Sequence, residues 1–349
     1  MKLSRIFLTG LIIGISIAGI VVFIWLNGRF KDQARKDQLQ IARQAEMIEN
    51  FTKTGYEPLV ANVLDLIDDE LKDNPKRILS DESIDRIVAL CFSLNPYARA
   101  KGDSVSSKKL SPERGYVLLV LASLKLDTGS MRKIKSTASF SGADLREADL
   151  SGTDLSGIDL KEADLYGANL NGSNLNEADL GFANLWGAQL RDATLRGTKL
   201  KRANLNWADL NGADMRNAQL NEADLISAQL RKVDMRGANL RWTDFRCAFL
   251  NDANLDSADM FRAVLQRAQL IGANLNGVNL SNALIGEANL TGVNLTEANL
   301  LDLVLSDQHW IELLDSWKVT GVQEIQRKYK VVEGDSYESS KYKLILIGK

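Results

Sequence analysis

Histidine occurs once in this chain, at His309, and cysteine twice, at Cys91 and Cys247. One imidazole and two distant thiols leave no Cys/His cluster with zinc spacing. They also rule against a disulfide framework, and free thiols suit a reducing compartment. His309 has no carboxylate or cysteine partner placed for acid–base work, so its position beside Trp310 reads as structural. Proline is scarce too: four residues, none beyond Pro112. P-loop and dinucleotide fingerprints are missing. So is the GGxGxD signature of calcium-binding β-helices. Neither sign of charge dominates. Lys and Arg number 43 against 45 Asp and Glu, a net charge of −2. Such a balance gives no global field that selects nucleic acid or an acidic partner. No catalytic, cofactor-binding or metal-ligating set emerges, which speaks against an enzyme.

What is present suits folded units rather than disorder: 349 residues, 45% hydrophobic and 25% charged. Residues 6–26, "IFLTGLIIGISIAGIVVFIWL", carry no charge. About 20 apolar residues cross a bilayer, and a signal peptide's apolar core is shorter. Lys2 and Arg5 precede the stretch; Arg29, Lys31, Arg35 and Lys36 follow it, with Trp25 near its end. An uncleaved N-terminal transmembrane helix is expected over residues 1–28, single-pass, with the C-terminal side cytoplasmic.

Residues 29–135 read as a helical stalk and small bundle. No proline or glycine interrupts residues 30–50. Leu59, Val60, Val63, Leu64, Ile67 and Leu71 share one helical face. Ile84, Ile87, Val88, Cys91 and Phe92 share another, with Ser80 as its cap and Asp81 and Glu82 at its positive end. Ser111 and Pro112 open a third helix. Cys91 on the apolar stripe reads as a buried, inert thiol.

From Phe140 to Leu305 every fifth position is large and apolar, 34 positions without a slip of phase. Two residues before each, 25 of the 34 are alanine. Asp or Asn usually sits between. A period of five fits neither helix nor strand. Each unit instead points one large and one small apolar side chain inward, and turns a corner with the other three. Such units bury their apolar face only by stacking. Leu284-Ile285 and Val304-Leu305 lack the polar residue, so the stack is expected to fray there.

This A(D/N)LXX pattern resembles the pentapeptide-repeat family. The resemblance implies a mainly β fold: a right-handed quadrilateral parallel β-helix over residues 136–305, four units per coil. At coil spacings of roughly 4.8 Å the rod is about 40 Å long. "SIDRIVALCFSLNPY" and "LSPERG" look similar to membrane-anchored cyanobacterial members, which implies shared architecture only. Residues 306–349 read as the C-terminal cap that a β-helix end requires: helices from "DQHWIELLDSW" and "GVQEIQRKYKVV", then a strand from "SKYKLILIG".

Some members of that family inhibit DNA gyrase by imitating a duplex. A duplex mimic wants a continuous acidic face, yet residues 191–246 hold 11 basic and 7 acidic side chains. A nucleic-acid partner is disfavoured on the same balance. The leading reading is a non-catalytic, membrane-tethered scaffold that presents a rigid β-helix to a protein partner, with the DNA mimic as the alternative. If positions 20 apart stack, Arg196, Arg216 and Arg236 form a column whose repulsion stability does not explain. Tyr166, Trp186, Asn206 and Ile226 form another, with Trp207 beside it, and Phe182, Arg241 and Trp242 lie nearby. Tyr166, Trp186, Arg196, Trp207, Arg216, Ile226, Arg236, Arg241 and Trp242 are the expected partner surface. Anionic lipid headgroups would be drawn to the same arginines.

Overall fold

The computed structural model describes residues 56–101, 104–337 and 340–348. Its centre is a four-sided solenoid. Each unit ends in a tight turn, closed when the small residue's N–H donates to the carbonyl of the preceding large one, as from Ala208 to Leu205 at 3.1 Å. The third residue of each turn has positive φ, near +60°, whether glycine or not. A type II turn requires this. Adjacent coils pair as parallel bridges between residues 20 apart, for example Asn184, Asn204, Asp224 and Asp244 in succession. The Leu205 N–H donates to the Asp224 carbonyl at 2.7 Å, and the Asp224 N–H returns to Ala203 at 3.0 Å. Backbone polarity is thus satisfied between coils, as burial demands.

Leucine and alanine point inward: Leu205, Ala208 and Met215 are all fully buried. Asp and Asn play a different part from the expected one. They lie outside the turn, on the bridging residue, and accept the N–H two residues on. Asp149 does so from Ser151 at 3.1 Å and Asn174 from Asn176 at 3.2 Å. Many also link coils, as when the Asn169 amide donates to Asp149 at 3.0 Å.

The expected fraying does not occur. Leu284 bridges to Val304, and β3 (Val304–Leu305) continues the phase by pairing with the C-terminal strand β5 (Ser340–Leu346). Backbone bonds, which any side chain permits, hold the register after the polar residue is lost.

Before the solenoid lie α1 (Glu57–Leu71), α2 (Asp81–Ser93), α3 (Pro112–Ser123) and α4 (Thr128–Thr137). Ser80 caps α2 by accepting from the Ser83 N–H, and Ser111 caps α3 by accepting from Arg114. The region is not purely helical, because the antiparallel hairpin β1 (Tyr97–Lys101) and β2 (Ser104–Leu110) separates α2 from α3. Phe92 also departs from its expected face; it is 58% exposed, while Cys91 beside it is buried. Burial pushes the Cys91 thiol up to about 12, which suits an inert group. The region docks on the first coil through backbone. Ser111 donates to Gly142 at 2.7 Å and accepts from Asp144 at 3.0 Å. Gly115 permits this approach, since a Cβ there would overlap the Asp144 carbonyl.

At the other end are α5 (Trp310–Ser316), α6 (Val322–Lys328) and β4 (Tyr329–Tyr337). The second expected helix therefore stops at Lys328, and Tyr329 onward is strand. The sheet order is β3-β5-β4. Thr320 bridges to Asn294, and Leu344 exchanges bonds with Asp302 and Leu303. Open coil edges are thereby paired.

The membrane expectation is corrected. Among the described residues no helix is long and apolar enough to cross a membrane. The apolar stretch 6–26 and the stalk 30–50 lie outside the described residues.

Candidate functional site

Four turns per coil give the rod four edges. Edge one carries turn residues such as 181–182, 201–202, 241–242 and 261–262. Edge two carries 166–167, 186–187, 206–207 and 226–227; edge three 191–192 and 231–232; edge four 196–197, 216–217 and 236–237.

The nine expected surface residues divide among three of these edges. Tyr166, Trp186, Trp207 and Ile226 line edge two. Arg241 and Trp242 lie on edge one. Arg196, Arg216 and Arg236 lie on edge four, diagonally opposite edge two. Edges one and two border a common side, whose middle ladder runs through Asp164, Asn184, Asn204, Asp224 and Asp244. That side is three residues wide between turns, roughly 10 Å at strand rise.

The arginine column on edge four is a balanced ladder rather than an unexplained repulsion. Asp214 accepts from Arg196 at 2.6 Å and from Arg216 at 2.8 Å. Asp234 accepts from Arg236 at 2.7 Å and lies 3.7 Å from Arg216. Hydrogen bonding from Arg216 and then from Arg196 holds the Asp214 carboxyl down at about 2. Twenty-residue spacing alone stacks arginine on arginine, but the aspartates two residues before Arg216 and Arg236 interleave with them.

Edge two presents aromatic surface. Tyr166 and Trp186 stack with centroids 5.0 Å apart and planes 3° from parallel. Trp207 follows, 61% exposed with φ +61°. Trp242 and Phe182 on edge one are also exposed, at 49% and 43%, with φ of +61° and +59°. All three occupy the left-handed turn position that glycine takes at Gly187 and Gly212. For a bulky side chain that conformation is costly, on the order of 1–2 kcal/mol.

Edge one also holds two residues outside the expected set, Phe261 and Arg262. The Arg262 guanidinium carbon lies 4.5 Å from the Trp242 ring centroid and 5.4 Å from that of Phe261. Arg241 covers Phe261 at 4.4 Å and donates to Asp259 at 2.9 Å. Trp242 meets Phe261 edge to face, at 6.2 Å and 79°. The sequence signal was an aromatic–basic pair recurring one coil on, at 241–242 and 261–262.

Further along edge two a groove of ≈ 470 Å³ is lined by Ile226, Arg246, Cys247, Gln266, Arg267, Gly286, Glu287 and Ser306. Its arginines are paired, Arg246 with Asp244 at 2.6 Å and Arg267 with Glu287 at 2.8 Å. His309 stands at the start of α5, with Nδ1 3.7 Å from Glu312 and both side chains exposed. Among the described residues no group of His, Cys, Asp or Glu is placed to hold a metal ion.

The family of pentapeptide repeats matches the chain in eight copies, over 138–176, 173–210, 198–237, 234–277 and 263–302. Among solved structures, HetL, a pentapeptide repeat protein involved in heterocyst differentiation regulation from the cyanobacterium Nostoc sp. strain PCC 7120, is 37% identical. The alignment covers 49% of this chain and 84% of HetL, with a TM-score of 0.29. The pentapeptide repeat protein Rfr23 of the cyanobacterium Cyanothece 51142 is 34% identical over 29% of this chain and 58% of its own, TM-score 0.13. QnrB1, a plasmid-mediated fluoroquinolone resistance protein, is 18% identical over 49% of this chain and 92% of its own, TM-score 0.37. No curated protein matches the chain. The profile match across the solenoid, together with the identity to HetL over most of its length, places the chain in the pentapeptide-repeat family.

Proposed function

We propose that this chain is a non-catalytic scaffold whose rigid solenoid, residues 136–305, docks a protein partner on the side between edges one and two. The single observation that carries this reading is the placement of Trp207, Trp242 and Phe182. Each is a large, exposed aromatic at a left-handed turn position where glycine would be free of strain. Elsewhere in the solenoid this position holds glycine or a polar or small side chain, as at Gly187, Asn217 and Glu222. A large ring kept exposed in a conformation that bulky side chains rarely adopt points to a use for it, and tryptophan is enriched among residues that dominate protein interfaces. The side has an apolar rim on both edges and a flat amide and carboxylate ladder between them. The ends of the stack are occupied by the two flanking segments, 56–135 and 306–348, which leaves the flanks as the surface for recognition. The duplex-mimic alternative is weaker, because arginines alternate with aspartates along edge four and break any continuous acidic face.

Site-specific photo-crosslinking in cells tests this. A photoreactive residue replacing Tyr166 or Trp207 should give discrete crosslinked species. The same residue at Asn217, on the diagonal edge, should give none. Equal crosslinking from both edges would remove the docking side.

A further inference from the structure

We infer that the partner segment received on this side is acidic, and that Arg262, held between Trp242 and Phe261, is the group that receives its carboxylate. The inference rests on the docking side proposed above and names the chemistry of its partner.

Most basic residues around edge one are already spent on neighbours. Arg241 donates to Asp259 at 2.9 Å, Arg202 to Glu222 at 2.6 Å, and Lys201 lies 3.6 Å from Glu222. Arg262 differs. It is exposed, and among the described residues no carboxylate pairs with it. Its contacts are the two rings, at 4.5 and 5.4 Å. An aromatic face holds a guanidinium plane while leaving its N–H edge free for in-plane hydrogen bonds. The rings also meet each other edge to face. Side-chain entropy that a lone surface arginine would lose on binding is therefore partly lost already. The result is a preset fork for one carboxylate, beside an apolar shelf for a neighbouring side chain.

The surroundings select an acidic peptide over a polyphosphate chain. Glu222 precedes Trp242 by one coil in the same column, and Asp244 follows Trp242 by two residues. Arg202 holds Glu222 and Arg246 holds Asp244, so the cations of these pairs are already neutralised. Affinity for phosphate chains comes from accumulated cations, whereas one guanidinium unpaired among the described residues, set beside apolar rings, suits one or two carboxylates among apolar residues.

The test is selection of phage-displayed random dodecamer peptides on the immobilised full chain, beside Arg262→Gln, Trp242→Leu and the control Arg236→Gln on the diagonal edge. Peptides selected on the wild type and on Arg236→Gln should be enriched in Asp and Glu over the input library. That enrichment should vanish on Arg262→Gln and on Trp242→Leu. A selected peptide should bind Arg262→Gln at least about tenfold more weakly, the loss expected when one partner of an interfacial charge pair is removed. Its Asp/Glu-to-Asn/Gln version should bind the wild type more weakly by a similar factor. Enrichment without acidic bias, or acidic bias that survives Arg262→Gln, would overturn the inference. If such peptides were still lost on Trp207→Ala, the docking side itself would stand. No enrichment over bare support would overturn both. Displacement of a selected peptide by a short DNA duplex at lower concentration than by free peptide would assign Arg262 to nucleic acid and overturn the acidic-peptide reading.

Discussion

Tyr166 and Trp186, twenty residues apart in sequence, lie ring on ring with their planes 3° from parallel. Parallel coils place equivalent turn residues at the inter-strand spacing, close to the thickness of stacked rings. The pair should therefore couple energetically although both side chains are partly exposed. A double-mutant cycle on Tyr166→Ala and Trp186→Ala should return about 0.5–1.5 kcal/mol of interaction in urea denaturation. A coupling of zero would mean the rings meet without mutual stabilisation.

The neighbouring tryptophan should behave in the opposite sense. Trp207 occupies the left-handed third position of its turn, whereas Trp186 occupies the second. Trp207→Gly relieves backbone strain on the order of 1–2 kcal/mol, offset by roughly 0.5–1 kcal/mol of added chain entropy in the unfolded state. Its midpoint should stay level or rise. Trp186→Gly loses the ring stack and gains flexibility, so its midpoint should fall. Equal losses in both variants would remove strain as the distinguishing feature of Trp207.

The narrow core gives a third expectation. Leu205 and Ala208 are both fully buried. Leu205→Ala should cost about 2–5 kcal/mol through the cavity it leaves. Ala208→Leu should cost about 1–3 kcal/mol through overpacking. Asn211→Ala, on the surface, should stay within about 0.5 kcal/mol. Chemical denaturation measures all three, and a silent Ala208→Leu would contradict a core one large and one small side chain wide.

The balanced ladder on edge four predicts a pH dependence. Arg216 and Arg196 hold Asp214 down at about 2 in the folded state. An unfolded aspartate titrates near 3.9. Because the folded value is depressed, the ionised carboxylate stabilises the fold fully above about pH 4, and that contribution disappears as pH falls toward about 2. Asp214→Asn should therefore be less stable than wild type at neutral pH, with the gap closing across that window. Both arginines are partly exposed, so added salt should shrink the gap. A gap that stays constant from neutral pH to pH 2 would exclude the carboxylate charge as its source.

The repeat was legible in the chain because each unit specifies itself locally. One turn bond joins the small residue to the large one before it, and every coil repeats that arrangement twenty residues on. A phase kept from Phe140 to Leu305 therefore dictates a stack. Cap signals were legible for the same reason: Ser80 and Ser111 act on N–H groups three residues away. The β1–β2 hairpin was not, because its strands are held by each other and by the docking of Ser111 on the first coil. Phe92 likewise fitted a helical stripe by number, but α2 leaves it exposed while burying Cys91 beside it.

The site divides along the same line. That Trp186, Trp207, Trp242 and the arginines lie on the outside of the stack follows from their place in the five-residue unit. Which of them share a side does not, because it depends on four corners separating residues that sequence spacing brings close. Tertiary structure alone put Arg216 between two aspartates and Arg262 between two rings. Both outcomes turn on side-chain rotamers meeting across adjacent coils, about 4.8 Å away. Local sequence determines that a residue faces solvent at a given corner; only the completed stack decides what lies above and below it.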